Sequence, residues 1–153
     1  TLHAGEINIP IRPSGNQDER RFPPPETDPP WQIEILQAPK NERRQITDMT
    51  TGIVTLEIVD DFGSTKDLDH GLVHGSVARK WWSIQPDDPL SASGRTHWTY
   101  ENSRDDWSVR TETYTNMTSD AKYLHLTARL EAYENNNLVF EKEISESIER
   151  DHR

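Results

Sequence analysis

The sequence predicts an all-β chain, an antiparallel β-sandwich or flattened barrel of about seven to nine strands with little helix. Three observations carry this. Leu124, Leu126, Ala128, Leu130 and Ala132 alternate with His125, Thr127, Arg129, Glu131 and Tyr133, a period of two that a helix would scatter around its circumference. Turn-forming residues punctuate the apolar runs at short intervals. Only 31% of the 153 residues are hydrophobic, yet 5 Trp, 4 Tyr and 3 Phe are present, so large rings must supply much of the buried area, and rings favour sheets.

The elements follow in order. Leu2, Ile7, Ile9 and Ile11 give a short alternating run ending at Pro13, suited to an edge strand or to the last strand of something preceding this chain. Residues 12–30 are polar and proline-rich, with Phe22-Pro23-Pro24-Pro25 and Asp28-Pro29-Pro30; such text favours extended polyproline geometry and serves as a linker or surface wrap. Residues 1–30 are therefore read as a short strand plus linker, and residues 31–153 as a single all-β domain. Strands are expected at 31–37, 43–49 and 52–61, the last with Val54, Leu56 and Ile58 on one face. Asp60 to Gly75 reads as a loop, because Gly63, Gly71 and Gly75 stand among acidic residues. Strands resume at 77–85, 92–101 and 107–116, separated by Pro86-Asp87-Asp88-Pro89 and by 102–106. After the strand at 124–133, Asn135-Asn136-Asn137 supplies residues that tolerate positive φ. Phe140, Ile144 and Ile148 sit four apart, which fits a helix face, but share one parity, which fits a strand; the hairpin that the asparagines permit favours the strand.

Composition excludes several function classes. The formal charge is −10 and no basic run exceeds the pair Arg43-Arg44, so the phosphate-binding footprint of a nucleic-acid partner is missing. No stretch approaches the ~20 apolar residues that span a bilayer as a helix, and no membrane partner is expected. The absence of Cys rules out disulfides and thiolate zinc sites and favours a reducing compartment, the cytoplasm. The chain opens on Thr1, which fits a fragment or processed product, so that any targeting signal there is would lie outside these residues.

Candidate chemistry is sparse. A nucleophile elbow needs Gly-x-Ser-x-Gly, and the one glycine pair at that spacing, Gly71 and Gly75, brackets Val73. No catalytic residue is assigned. His70 and His74, with Asp67 and Asp69 nearby, are the metal candidates, but the glycines around them oppose the helix that would aim both imidazoles at one ion. Asp60-Asp61 and Asp87-Asp88 read as turn or opposite-face residues rather than acid/base pairs. No cofactor is expected. Trp82, Trp98 and Trp107 are the ligand-binding candidates, since rings on adjacent strands can stack on sugars or line an apolar cavity. Trp81 and Trp82 point to opposite faces, so one of them lies exposed or at an interface.

The run Trp82-Ser83-Ile84-x-x-x-Asp88-Pro89-Leu90-Ser91-Ala92, then Asp106-Trp107-x-Val109-Arg110-Thr111-Glu112, then Leu130-Glu131-Ala132-Tyr133-Glu134, resembles the C-terminal extension of hydrolases of the cocaine-esterase/NonD type, related to X-Pro dipeptidyl-peptidases. The opening Thr1-Leu2-His3-Ala4-Gly5, Pro10-Ile11-Arg12-Pro13 and the proline segment are similar to the junction where such proteins leave their jelly-roll domain. The resemblance implies a parent enzyme with an α/β-hydrolase domain and a Ser-His-Asp triad acting on esters or amides, none of whose catalytic positions maps here. The ending Ile148-Glu149-Arg150-Asp151 departs from the Ile-Pro-Arg-Asp usual in that pattern. The expected role is a non-catalytic accessory domain serving assembly or substrate access, with the remaining domains of the parent as partners and exposed sheet edges open to a homo-oligomer. The alternative is a small-molecule or carbohydrate-binding module using the tryptophans.

Overall fold

The computed structural model describes residues 4–13, 15 and 22–151. The chain divides into two units, Thr1–Pro30 and Trp31–Arg153. In the first, no regular structure occurs among the described residues. The strand expected there does not form: Ile7, Ile9 and Ile11 remain 76–89% exposed, and Leu2 lies outside the described residues. Alternation without a neighbouring strand to pair with gives no ladder.

The second unit is all-β and antiparallel, within the expected strand number. Its eight strands are β1 (Ile33–Gln37), β2 (Lys40–Thr47), β3 (Val54–Asp67), β4 (Val73–Gln85), β5 (Asp88–Arg104), β6 (Trp107–Ser119), β7 (Tyr123–Glu134) and β8 (Asn137–Glu149). They form one open sheet in the order β1-β3-β4-β5-β6-β7-β8, with β2 also on β3, consistent with a flattened member of the sandwich and barrel class. From β3 onward each strand pairs with the next in sequence, the arrangement that short hairpin connections permit. Among the described residues there is no helix, and so none long and apolar enough to cross a membrane.

Three hairpins close with two-residue turns. Asn135 and Asn136 both take positive φ, 48° and 67°, between the paired residues Glu134 and Asn137, as the tight turn matching strand twist requires. Asp87 (62°) and Asp105 (54°) serve the β4–β5 and β5–β6 turns, positions that Asp and Asn tolerate. The ambiguous run at 138–148 is strand: Phe140 faces Ala132, Ile144 faces Ala128 and Ile148 faces Leu124 across the ladder.

The loop expected over Asp60–Gly75 shrinks to a short turn, because β3 continues to Asp67 and β4 begins at Val73. Of the glycines that suggest a loop, Gly71 stays in that turn at φ 73°, whereas Gly63 and Gly75 belong to a bulged ladder. The β3–β4 register shifts between Asp61 and Ser64, Gly63 adopts φ 73°, and its amide donates to Asp61 Oδ1 at 2.8 Å. Past the bulge β3 pairs with β1; before it, with β2. One long strand thereby serves two short edge partners.

At the β6–β7 turn, Asp120 Oδ1 accepts from the amides of Lys122 (2.6 Å) and Tyr123 (2.8 Å), and Oδ2 bonds His125 Nε2 at 2.8 Å. The Lys122 amide first, then His125 and the Tyr123 amide, hold its carboxyl down at about 2.

Two outcomes follow. A Cβ at Gly63 would collide with the Gln37 carbonyl oxygen and need a left-handed backbone, so Gly63→Ala should destabilise the sheet by about 1–3 kcal/mol; an unchanged urea midpoint would refute the bulge. Asp120, with a folded value below the ordinary carboxylate value of about 3.9, stabilises fully above about pH 4 and loses this as pH falls towards about 2. The gap in urea midpoint between wild type and Asp120→Asn should therefore close on going from about pH 5 to about pH 2, and a constant gap would count against this turn.

Candidate functional site

Each strand contacts only its sheet neighbours, so no second layer of this unit covers either face. Register and alternation define the two faces. One carries the row Leu56, Trp82, Gly94, Met117 and Leu126 and the neighbouring pairs Val54–Ile84 and Leu124–Ile148. Further along lie Trp98, opposite Ala78, and Tyr100, opposite Ser76. This apolar face is open: Leu56, Trp82, Ile84, Met117 and Ile148 remain 41–53% exposed, and Ala78 is the one fully buried apolar residue among those described.

Magnitude makes this informative. A sheet about seven strands wide at roughly 4.8 Å per strand, and about ten residues long at roughly 3.3 Å per residue, presents a face of roughly 1,000 Å². Free apolar patches on monomers rarely exceed a few hundred Å², and a standard protein interface buries about 800 Å² per partner. The face is large enough to be an interface. Its charges are sparse and mutually offsetting: Asp60 bonds Arg43 (2.5 Å) and Lys80 (3.1 Å), while Lys142 and Glu146 stand on edge strand β8, where inward charges discourage indiscriminate pairing.

The tryptophan candidates belong to this face. Trp82 lies over Gly94, where a Cβ would sit 2.5 Å from the indole, so glycine there makes room for the ring. Trp98 stacks with Phe62 at 6.0 Å, and Lys80 Nζ stands 5.8 Å from its ring centre. Trp107 opens β6 opposite Arg104. Trp82 and Trp98 are four residues apart in register, roughly 13 Å, so they share a face rather than one clamp. A shallow concavity of about 310 Å³ touches Trp82, Ile84, Met117 and Leu124. Trp81 points to the other face, where its Nε1 donates to Glu57 Oε1 at 2.9 Å.

The remaining candidates are engaged separately. His70, in the β3–β4 turn, faces Asp67 at 3.2 Å, whereas His74 packs on the Tyr100 ring at 4.7 Å. Asp69 donates its amide to Asp67 Oδ1 at 2.8 Å. Asp61 accepts from Gln37 Nε2 at 2.8 Å, and Asp88 from the Leu90 amide at 3.1 Å. Among the described residues no group of three or more His, Asp and Glu could hold a metal ion.

The opposite, polar face holds a network that the sequence does not advertise. Glu112, Glu131 and Glu141 face one another on β6, β7 and β8, and the first two are buried at 8% and 6% exposure. Adjacent carboxylates repel, so each needs donors. Glu112 receives His97 Nε2 (2.5 Å) and Thr99 Oγ1 (2.9 Å) and pairs with Arg110. Glu131 pairs with Arg129 and accepts from the Tyr133 hydroxyl at 2.9 Å; Arg129 also reaches Glu141 at 2.8 Å. Burial pushes the Glu112 carboxyl up, but His97, Thr99 and Arg110 together overcome it, and the net direction is down. Glu112 reads in the sequence as one more polar residue between threonines; only the register brings its donors together.

No family model, curated protein or solved structure matches this chain.

Because Glu112→Gln removes charge from a buried, three-donor site, it should cost about 1–3 kcal/mol while the sheet persists. Equilibrium denaturation at neutral pH measures it, and a wild-type midpoint would mean the carboxylate is not held as described.

Proposed function

We propose that the chain is a non-catalytic accessory domain of a hydrolase of the cocaine-esterase/NonD type, and that it assembles with the rest of that protein through its apolar sheet face. The observation that carries the reading is the uncovered face of Leu56, Trp82, Met117 and Leu126, since domains ordinarily bury such a face against a second layer. The three sequence motifs that resemble the hydrolase extension support the choice of parent: their residues fall on β4 to β7, the centre of the sheet. A hydrolase domain offering a complementary apolar surface would supply the missing layer, and water excluded from both surfaces would drive docking.

A second reading, a carbohydrate or small-molecule module, draws on Trp82 and Trp98, both partly exposed on this face. Their wide separation favours docking over ligand capture.

The test pairs the 153-residue chain with the separately expressed hydrolase portion. Wild-type chain should bind it, and Leu126→Glu should weaken binding at least about tenfold by placing a second carboxylate opposite Glu146 on the docked face, whereas Thr127→Glu on the polar face should not. The isolated chain should leave short acyl nitrophenyl esters intact with or without zinc. Turnover by the isolated chain, or binding indifferent to Leu126→Glu, would sink the proposal.

A further inference from the structure

The polar face carries a second feature that docking of the apolar face leaves free. Two cross-strand rows run side by side over it: Trp81, Arg95, Asn116, Thr127 and Ser145, and Arg79, His97, Tyr114, Arg129 and Glu143. Between them lies a concavity of about 670 Å³, within the range of small-molecule sites, about 300–1,000 Å³. Trp81, Tyr114, Asn116 and Thr127 line it, with Arg95 towards the β4–β5 end and Glu143 on β8.

The cations on this face are unequally satisfied. Arg44 pairs with Glu57, Arg110 with Glu112, and Arg129 with Glu131 and Glu141. Arg95 and Arg79 have no carboxylate partner among the described residues. The acids on neighbouring positions are taken: Glu57 by Arg44 and Trp81, Asp61 by Gln37 and the Gly63 amide, Glu112 by His97, Thr99 and Arg110. Arg95 is also oriented. Its guanidinium lies 4.5 Å from the centre of the Trp81 ring, and Glu57 fixes that ring through Nε1. In a chain with formal charge −10, an uncompensated guanidinium lining an apolar-walled concavity, with Arg79 on the adjacent strand outside its lining, is a chemical specification rather than background.

We propose that this concavity binds a small organic carboxylate carried on a flat apolar body, Arg95 receiving the carboxylate and the Trp81 and Tyr114 side chains flanking the ring. The guanidinium fork suits a planar carboxylate bidentately, and partial desolvation beside Trp81 strengthens the pairing. Glu143 stands three strands from Arg95, roughly 14 Å at about 4.8 Å per strand, which directs the anion to the β4–β5 end. At about 0.1 M salt the screening length is roughly 10 Å, so the remaining acidic surface does not override the local pair.

The test is a ¹H–¹⁵N titration of the full chain with 2-naphthoate, 2-naphthamide and inorganic phosphate. The Trp81 indole N–H should shift saturably with 2-naphthoate. The uncharged amide should bind at least about fivefold more weakly, as should 2-naphthoate to Arg95→Gln, while Arg104→Gln, at the far end of β5, should match wild type. Retained chemical-shift dispersion certifies that the variants fold. Equal affinity for 2-naphthamide, phosphate binding as tight as 2-naphthoate, shifts confined to Trp82 and Trp98, or no saturable shift at Trp81 would each overturn the site.

Discussion

The antiparallel backbone ladder running from β3 to β8 is the interaction on which everything else depends. In a fold whose strands touch only their sheet neighbours, no interlayer packing can correct a slipped register, so the order of every side chain rests on hydrogen bonds between adjacent strands. A one-residue slip would exchange the faces completely. The turns resist this: Asn135 and Asn136 in left-handed conformations, and the Asp120 carboxylate gripping two amides, leave little freedom in how β6 to β8 reverse. The Gly63 bulge does the same where β3 changes partner.

With the register fixed, the two faces diverge in chemistry. Side chains of one parity make the apolar face, stabilising little while it stays wet and much once covered. Those of the other parity converge on Glu112 and Glu131, where directional bonds substitute for hydrophobic packing. The polar network is specific because it is unforgiving: three opposed glutamates are tolerable only when Arg110, Arg129, His97 and Tyr133 all find their places. The open sheet thus combines a general, non-directional docking surface with a directional polar surface. The proposed assembly uses the first, and the proposed carboxylate site uses a corner of the second.

A useful contrast is between Trp81 and Trp82, adjacent in sequence and opposite in role. Trp82 lies over Gly94 on the apolar face, while Trp81 is held by Glu57 and supports Arg95. The period of two dictates that they separate, but not which side becomes the covered one.

From Val77 onward the strands, the parity of their apolar residues and their reversals are readable in the amino-acid order, because alternation and positive-φ tolerance are local properties. Leu124 to Tyr133 and the Asn135-Asn136 turn are legible without coordinates. The amino-acid order also placed Trp82, Trp98 and Trp107 on adjacent strands. Pairing is not local and emerges with the fold: glycines at 63 and 75 belong to a bulged ladder and not to a loop, Ile7 to Ile11 find no strand to join, His70 and His74 keep separate partners, and the strands form one open sheet. The buried glutamates and the unpaired arginines were invisible for the same reason. A side chain's partners lie across the ladder, many residues away along the chain, and the register that brings them together is set by the whole sheet.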